Sequence, residues 1–315
     1  MGKIAFIYPG QGAQKAGMGA DFYENSEIAR YIFDQAGEEL DLDMKELCFE
    51  ENDRLDLTEY TQAAMVTTCL AMTRVAESKG LKADITAGLS LGEYPAIAAA
   101  GGMNDMDAIR LVRKRGILMQ NTVPAGEGAM CAVISMAAEE IEKVIEPIAD
   151  VSVANYNCPG QIVITGKTDA VEEAAAKLKE AGARRTIMLN VSGPFHSQML
   201  VPAGEKLAEE LEHTRFHELR IPYVTNVTAE KVTDIRETPG LLTTQISSPV
   251  RWMQSMERMI ADGVDTFVEI GPGKTLEGFL RKIDRSVKVF HISQWEDVDK
   301  VCTELADSGK MMEEA

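Results

Sequence analysis

The apolar positions of this chain fall into two rhythms. Residues 3–8, KIAFIY, form a short continuous apolar run closed by Pro9 and Gly10, which predicts a buried strand entering a loop. Helical spacing follows over 25–40 and 61–79. Residues 83–90, ADITAGLS, then predict a strand-like approach to a turn, with LGEYPAIAAAG a helix leaving it. A further helix over 105–121 ends at Val123-Pro124-Ala125-Gly126. Strands alternating with helices predict an α/β layered domain on a largely parallel sheet.

Between 126 and 191 the rhythm changes. GAMCAVISM reads as a strand, AAEEIEKVIEPIA as a helix and VSVANYN as a strand. NCPG makes a turn, QIVITGK a strand, TDAVEEAAAKLKEAG a helix and ARRTIMLN a last strand. The order βαββαβ is that of the split βαβ, ferredoxin-like unit, and it predicts a small subdomain inserted into the larger one. The larger domain therefore takes residues 1–125 and 192–315. Its second part predicts a helix at 202–212, a strand at 221–226, a helix at 249–262, a strand at 265–270, and a helix after Gly271-Pro272-Gly273. The last residues, DSGKMMEEA, have little to pack and are expected to fray.

Composition narrows the class. At 315 residues, 45% apolar and 26% charged, the chain resembles a soluble globular protein able to bury a large core. The N-terminal apolar run is too short for a secretory signal, and the Ala-rich stretch near Pro95 is too short to cross a bilayer. Five scattered cysteines with no CxxC spacing predict a reduced cytoplasmic setting, with neither a disulfide framework nor a metal site. A formal charge of −18 disfavours nucleic acid as a partner.

The chemistry concentrates in a few places. Gly88-Leu89-Ser90-Leu91-Gly92 is the only G-x-S-x-G, and it lies where strand passes to helix. Such a turn needs glycines because side chains there would collide with the flanking strand and helix. It also exposes the Ser90 hydroxyl at a helix N-terminus, where N–H groups, Leu91's included, can hold an oxyanion. A serine at its free pKa is a weak nucleophile and needs a base. Of the four histidines, His213 and His217 sit in a charged stretch and His291 follows an apolar strand, so all three read as structural or exposed. His196, in Val191-Ser192-Gly193-Pro194-Phe195-His196-Ser197, lies where the insert rejoins the large domain. Position alone leaves catalytic and structural roles both open, and pairing with Ser90 favours the catalytic one. Gly10-Gln11-Gly12-Ala13-Gln14 could bring backbone N–H groups to a ligand, but it is neither G-x-G-x-x-G nor a P-loop. Arg113, Lys114 and Arg115 form a basic cluster of the kind that is usually solvated. An arginine turned inward from it would suit a substrate carboxylate.

Together these segments resemble the malonyl-CoA:acyl carrier protein transacylase family and the acyltransferase domains of fatty-acid and polyketide synthases. The resemblance is carried by Phe6 to Gln14, Gly88 to Tyr94, Arg115-Gly116 with Met119-Gln120, Asn155 to Gly166, Gly193 to Ser197, and Glu269 to Gly273. It implies a large α/β-hydrolase-like layered domain with a parallel sheet. It implies Ser90 as the malonylated nucleophile, His196 as general base, and the Gln11 and Leu91 N–H groups as the oxyanion hole. Arg115 would pair with the malonyl carboxylate, and the Gln245 backbone carbonyl would orient the histidine. Asn155 would lie near the cleft. Phe195, just before the histidine, is associated with malonyl over methylmalonyl choice, since a bulky ring crowds an α-methyl branch.

The family usually has histidine where this chain has Leu89, which alters the polar surroundings of the serine and leaves the reaction class intact. The implied partners are malonyl-CoA and phosphopantetheinylated acyl carrier protein, with no cofactor, no metal and no membrane, and the expected state is a monomer. Arg184 with Arg185, and Arg281, Lys282 with Arg285, are the candidate carrier-protein contacts. The competing readings are a serine thioesterase or hydrolase, an acyltransferase serving polyketide synthesis, and a non-catalytic carrier-binding module.

Overall fold

Every residue from Ile4 to Tyr8 is buried, yet successive side chains enter different cores. Ile4, Phe6 and Tyr8 pack on one face, and Ala5 and Ile7 on the other. That period of two, apolar on both sides, is what a central strand of a covered parallel sheet requires. In this computed structural model, which describes residues 2–308, β1 (Lys3–Tyr8) accordingly sits inside a six-stranded sheet. Its order is β10-β9-β1-β2-β7-β8, with β2 Ile85–Gly88, β7 Tyr223–Val224, β8 Lys231–Val232, β9 Val264–Ile270 and β10 Lys288–Ile292. All neighbours pair parallel except β7 with β8, which closes the edge as an antiparallel ribbon.

The helix Thr58–Ser78 is buried along most of its length, and it carries Ala64, Met65, Cys69 and Leu70 into the same core as β1's Phe6 and Tyr8. A helix apolar nearly all round belongs in a core, and any polar side chain on it needs a partner there.

The second sheet comprises β3 (Gly128–Ile134), β4 (Val151–Cys158), β5 (Gln161–Lys167) and β6 (Arg185–Met188), antiparallel in the order β4-β5-β3-β6. The helices Ala138–Ile145 and Thr168–Glu180 complete the element order βαββαβ. Cys131, Val133, Ile162 and Ile164 pack with these helices, while Met130, Ala132, Ala154 and Val163 join the core of the large sheet. A backbone seam adds to this: Val250 N–H donates to Ala154 O at 2.8 Å and Tyr156 N–H to Val250 O at 2.9 Å.

Most expected elements are present, the 105–121 helix with the same bounds. The strand expected over 221–226 is only Tyr223–Val224, which frees Asn226 from pairing. The helix expected from 249 begins at Trp252. Apolar rhythm does not anticipate Met44–Phe49, Thr238–Gln245 or Trp295–Asp307. Thr238–Gln245 carries Pro239 and Gly240 near its start, and proline is tolerated in the first helical turn. The fraying expected at the C-terminus lies, from residue 309 onward, outside the described residues. No helix among the described residues is long and apolar enough to cross a membrane.

Candidate active site

β2 ends at Gly88, and Ser90 follows with φ 55°, a left-handed conformation that costs a non-glycine residue about 1–3 kcal/mol. The surroundings enforce it. A Cβ on Gly88 would lie 1.8 Å from Gly92 O, and one on Gly92 would lie 2.4 Å from Tyr8 O. The turn is thus wedged between its own far side and the end of β1, and only glycines fit. Asn226, just past β7, braces it further: Ser90 N–H donates to Asn226 Oδ1 at 2.8 Å, and Asn226 Nδ2 donates to Gly88 O at 2.7 Å.

His196 lies on the loop leading out of the second sheet, buried and also left-handed at φ 60°. Its Nε2 is 2.7 Å from Ser90 Oγ and its Nδ1 is 2.9 Å from the Gln245 carbonyl oxygen. A carbonyl can only accept, so the proton of the neutral ring is on Nδ1 and Nε2 is left bare toward the serine. Gln245 ends the Thr238–Gln245 helix, where the final carbonyls lack intrahelical partners, which makes its oxygen available. Burial, helped by the Arg115 charge, pulls His196 down to about 4 against the opposing pull of the Gln245 carbonyl. The ring is therefore a neutral proton acceptor at ordinary pH.

Arg115 reaches the same oxygen from the 105–121 helix. Its Nη2 donates to Ser90 Oγ at 3.1 Å and to Gln245 Oε1 at 3.0 Å, and its Nη1 donates to Gln62 Oε1 at 2.7 Å. The guanidinium is fully buried and lies 5.7 Å from the Tyr94 ring centroid. Burial lowers its pKa, opposed by Tyr94 and Glu93, but arginine remains charged over the working range. Of the three clustered basic residues only Arg115 turns inward: Arg113 pairs with Glu59 at 2.9 Å and Lys114 with Glu210 at 3.4 Å.

The remaining candidates divide. The Gln11 loop abuts the elbow, since a Cβ on Gly10 would lie 2.8 Å from Leu89 O. The Gln11 side chain donates to Thr58 Oγ1 at 3.1 Å. Leu91 occupies the turn directly after Ser90. Leu89, where histidine is usual, packs partly buried on the apolar cluster of the sheet's second face. Phe195 is buried in the large core. Asn155 sits at a register shift of β4 with its backbone bridged to Val250, and takes no part in the hydrogen bonds around Ser90. His213 and His291 stand on other elements, and His217 is half-buried with its N–H donating to Gly102 O at 2.9 Å. Arg184, Arg185, Lys282 and Arg285 are exposed, and Arg281 is held by Glu277.

Three further residues at the site are not marked out by sequence pattern. Gln62 is a polar side chain on the buried Thr58–Ser78 helix, a signal only once that burial is known. Asn226 could not be separated from its expected strand. Glu93 offered the best clue, a carboxylate entering an apolar helix. It is fully buried, and burial pushes it up to about 7 against N–H groups of Asn226 and Gln245.

With a neutral imidazole on the serine, a cation beside it and no carboxylate behind the histidine, the constellation suits acyl transfer to and from Ser90. Comparisons with known proteins point the same way. A family model described as Acyl transferase domain matches residues 5–298. The Malonyl CoA-acyl carrier protein transacylase of Bacillus subtilis is 44% identical over 304 residues, covering 95% of this chain and 96% of the relative. The crystal structure of the malonyl CoA-acyl carrier protein transacylase from Clostridium perfringens superposes with a TM-score of 0.94 at 42% identity, covering 98% of each chain. A solved complex, described as a type II PKS acyl-carrier protein with its malonyl-transacylase, superposes at 0.93 and 35% identity, covering 96% of this chain and 99% of that one.

Proposed function

The chain belongs to the acyl transferase family, and from that membership we propose that it is a malonyl-CoA:acyl carrier protein transacylase of fatty-acid synthesis. The observation that carries the reading is one oxygen with two partners: Ser90 Oγ lies 2.7 Å from a bare histidine nitrogen and 3.1 Å from a buried guanidinium. The first supplies a base, and the second supplies a reason for the acyl group to bear a carboxylate.

In the proposed cycle His196 Nε2 takes the Ser90 proton as Oγ bonds to the thioester carbon of malonyl-CoA. The N–H groups of Gln11 and Leu91 hold the oxyanion. The carbon–sulfur bond breaks, the coenzyme A sulfur leaves with the proton from His196, and a malonyl-Ser90 ester remains. The phosphopantetheine thiol of acyl carrier protein then gives its proton to His196 and attacks that ester. Its collapse returns the proton to Ser90. One thioester replaces another, so the overall reaction needs no energy source. Arg115 selects and holds the malonyl carboxylate, Phe195 crowds an α-methyl branch, and Asn155 lines the approach to the cleft. The free thiols of all five cysteines support a reduced cytoplasmic setting, and we read the enzyme as a monomer.

Intact mass after mixing with malonyl-CoA tests the reading. One malonyl group should add to the wild-type chain, be absent in Ser90→Ala, and be discharged by holo acyl carrier protein. Steady release of free malonate with no carrier-dependent discharge would make the chain a hydrolase instead. Arg115→Ala should slow malonyl loading by about 100-fold while sparing acetyl loading, since it leaves a buried carboxylate unpaired.

A further inference from the structure

The Gln245 carbonyl has a role above, but its side chain makes more contacts than any other group at the site. Nε2 donates to Glu93 Oε2 at 2.6 Å, to Ser90 O at 3.0 Å and to Asn226 Oδ1 at 3.3 Å. Oε1 accepts from Arg115 Nη2 at 3.0 Å. Glu93 Oε2 also accepts from the Asn226 backbone N–H at 3.1 Å. The amide is thereby locked in one orientation, its nitrogen toward a buried carboxyl and its oxygen toward a buried guanidinium. A flipped amide would set Oε1 against Glu93 Oε2 and two carbonyl oxygens, and would aim N–H groups at the cation.

The consequence concerns Arg115. A buried cation needs a compensating anion, and the direct solution would be a carboxylate in salt-bridge contact. Such a partner would fill the guanidinium edge that a substrate carboxylate has to use. Here the guanidinium is held instead by two neutral amide oxygens, of Gln62 and Gln245, and by the serine hydroxyl; among the described residues its Nε has no hydrogen-bond partner. The carboxyl of Glu93 stands one amide farther back.

We propose that Gln245 is a positioning residue for acyl selectivity: its side chain, anchored by the Glu93 carboxyl, holds the Arg115 guanidinium in place through a neutral amide and leaves it unpaired for a carboxylated acyl group. The inference rests on the reading of Arg115 as the carboxylate holder. Glu93 serves as anchor in either protonation state, because Oε1 has no hydrogen-bond partner among the described residues and can carry the proton.

The test is the ratio of Ser90 acylation rates from malonyl-CoA and acetyl-CoA, read by intact mass, with labelling by a neutral fluorophosphonate normalising for any loss at Ser90 itself. Gln245→Met keeps the backbone carbonyl for His196 and removes both ends of the amide. It should lower the malonyl-to-acetyl ratio about tenfold, the scale of one hydrogen bond to a charged group. Glu93→Ala should move the ratio the same way. Glu93→Gln, which keeps an acceptor for the amide nitrogen, should restore most of it. If Gln245→Met does not fold, Glu93→Ala with its Glu93→Gln counterpart decides: the malonyl-to-acetyl ratio should fall about tenfold in the first and recover in the second. Loss of both acyl groups in equal measure, or an unchanged malonyl-to-acetyl ratio in Glu93→Ala, would overturn the proposal. Wild-type protein that never takes malonyl on Ser90 would defeat the underlying transferase reading, whatever the variants do.

Discussion

Ser90 and His196 meet at 2.7 Å with almost the same backbone, φ 55° and 60°, yet they are held in it by opposite means. The serine's conformation is enforced mainly within five residues, with Tyr8 and Asn226 bracing the turn from outside. Gly88 and Gly92 close on each other, and the turn is trapped between a strand before it and a helix after it. The histidine's loop has no such local device. It is pinned by Pro194 against Gly128, where an added Cβ would lie 2.3 Å from the proline ring, and by a carbonyl 49 residues away. One half of the pair is strained mainly by its own segment, and the other by distant parts of the molecule. Strain of this sort persists only where the surroundings over-determine it, and the two halves show two ways of doing so.

The largest effect should come from breaking the local half. Gly88→Ala places a methyl 1.8 Å from backbone, which cannot move aside as a side chain could. Soluble, active protein should be lost, and a thermal melt matching wild type would refute the account of the elbow. Removing the base comes next: His196→Ala should slow malonyl loading by about a thousandfold, within the usual range for a general base, with the fold intact. Stopped-flow or quenched mass measurements would show it.

Titration separates the two halves more finely. His196 must be neutral to accept the proton, so the loading rate should stay level as pH falls from 7 and then drop through about 4. A fall centred near 7 would instead assign control to Glu93, which titrates at about 7. The same lowering has a stability sign. Protonation favours the unfolded chain, so the neutral ring's contribution is whole above its ordinary 6.5 and is lost as pH falls toward 4.

The smallest expected effect breaks the distant half. Gly128→Ala pushes on Pro194 from the second sheet and should cost about tenfold in loading rate, on the scale of a small misplacement of a reacting group. The elbow itself should keep its fluorophosphonate reactivity to within the same factor. If Gly128→Ala matches wild type, the loop is not steered from β3. The insert also bears on this comparison. We propose residues 126–191 as a subdomain that folds only against the large sheet, since Met130, Ala132, Ala154 and Val163 pack there. The excised segment should be unfolded by circular dichroism.

The sequence alone determined the layered α/β class and the βαββαβ order of the insert, and it singled out Ser90 as the candidate nucleophile. Each follows from short-range rules: apolar period, turn residues, and glycines on either side of a serine. Among four histidines it favoured His196 as the candidate base, on its place at a junction between units together with the presence of Ser90. Resemblance to a family then added roles for Gln11, Leu91, Arg115 and Gln245 that no local pattern could supply. Local pattern could not tell which member of Arg113, Lys114 and Arg115 faces inward, since helical spacing leaves three consecutive residues on three faces, and only the tertiary structure shows Arg115 buried. It alone revealed Gln62, Asn226 and Glu93, polar groups that look ordinary in sequence and become costly only when burial deprives them of water. Their partners lie 53, 136 and 152 positions away, in Arg115, Ser90 and Gln245. Periodicity carries no information over such separations, whereas a packed core in which every buried polar atom seeks a partner carries a great deal.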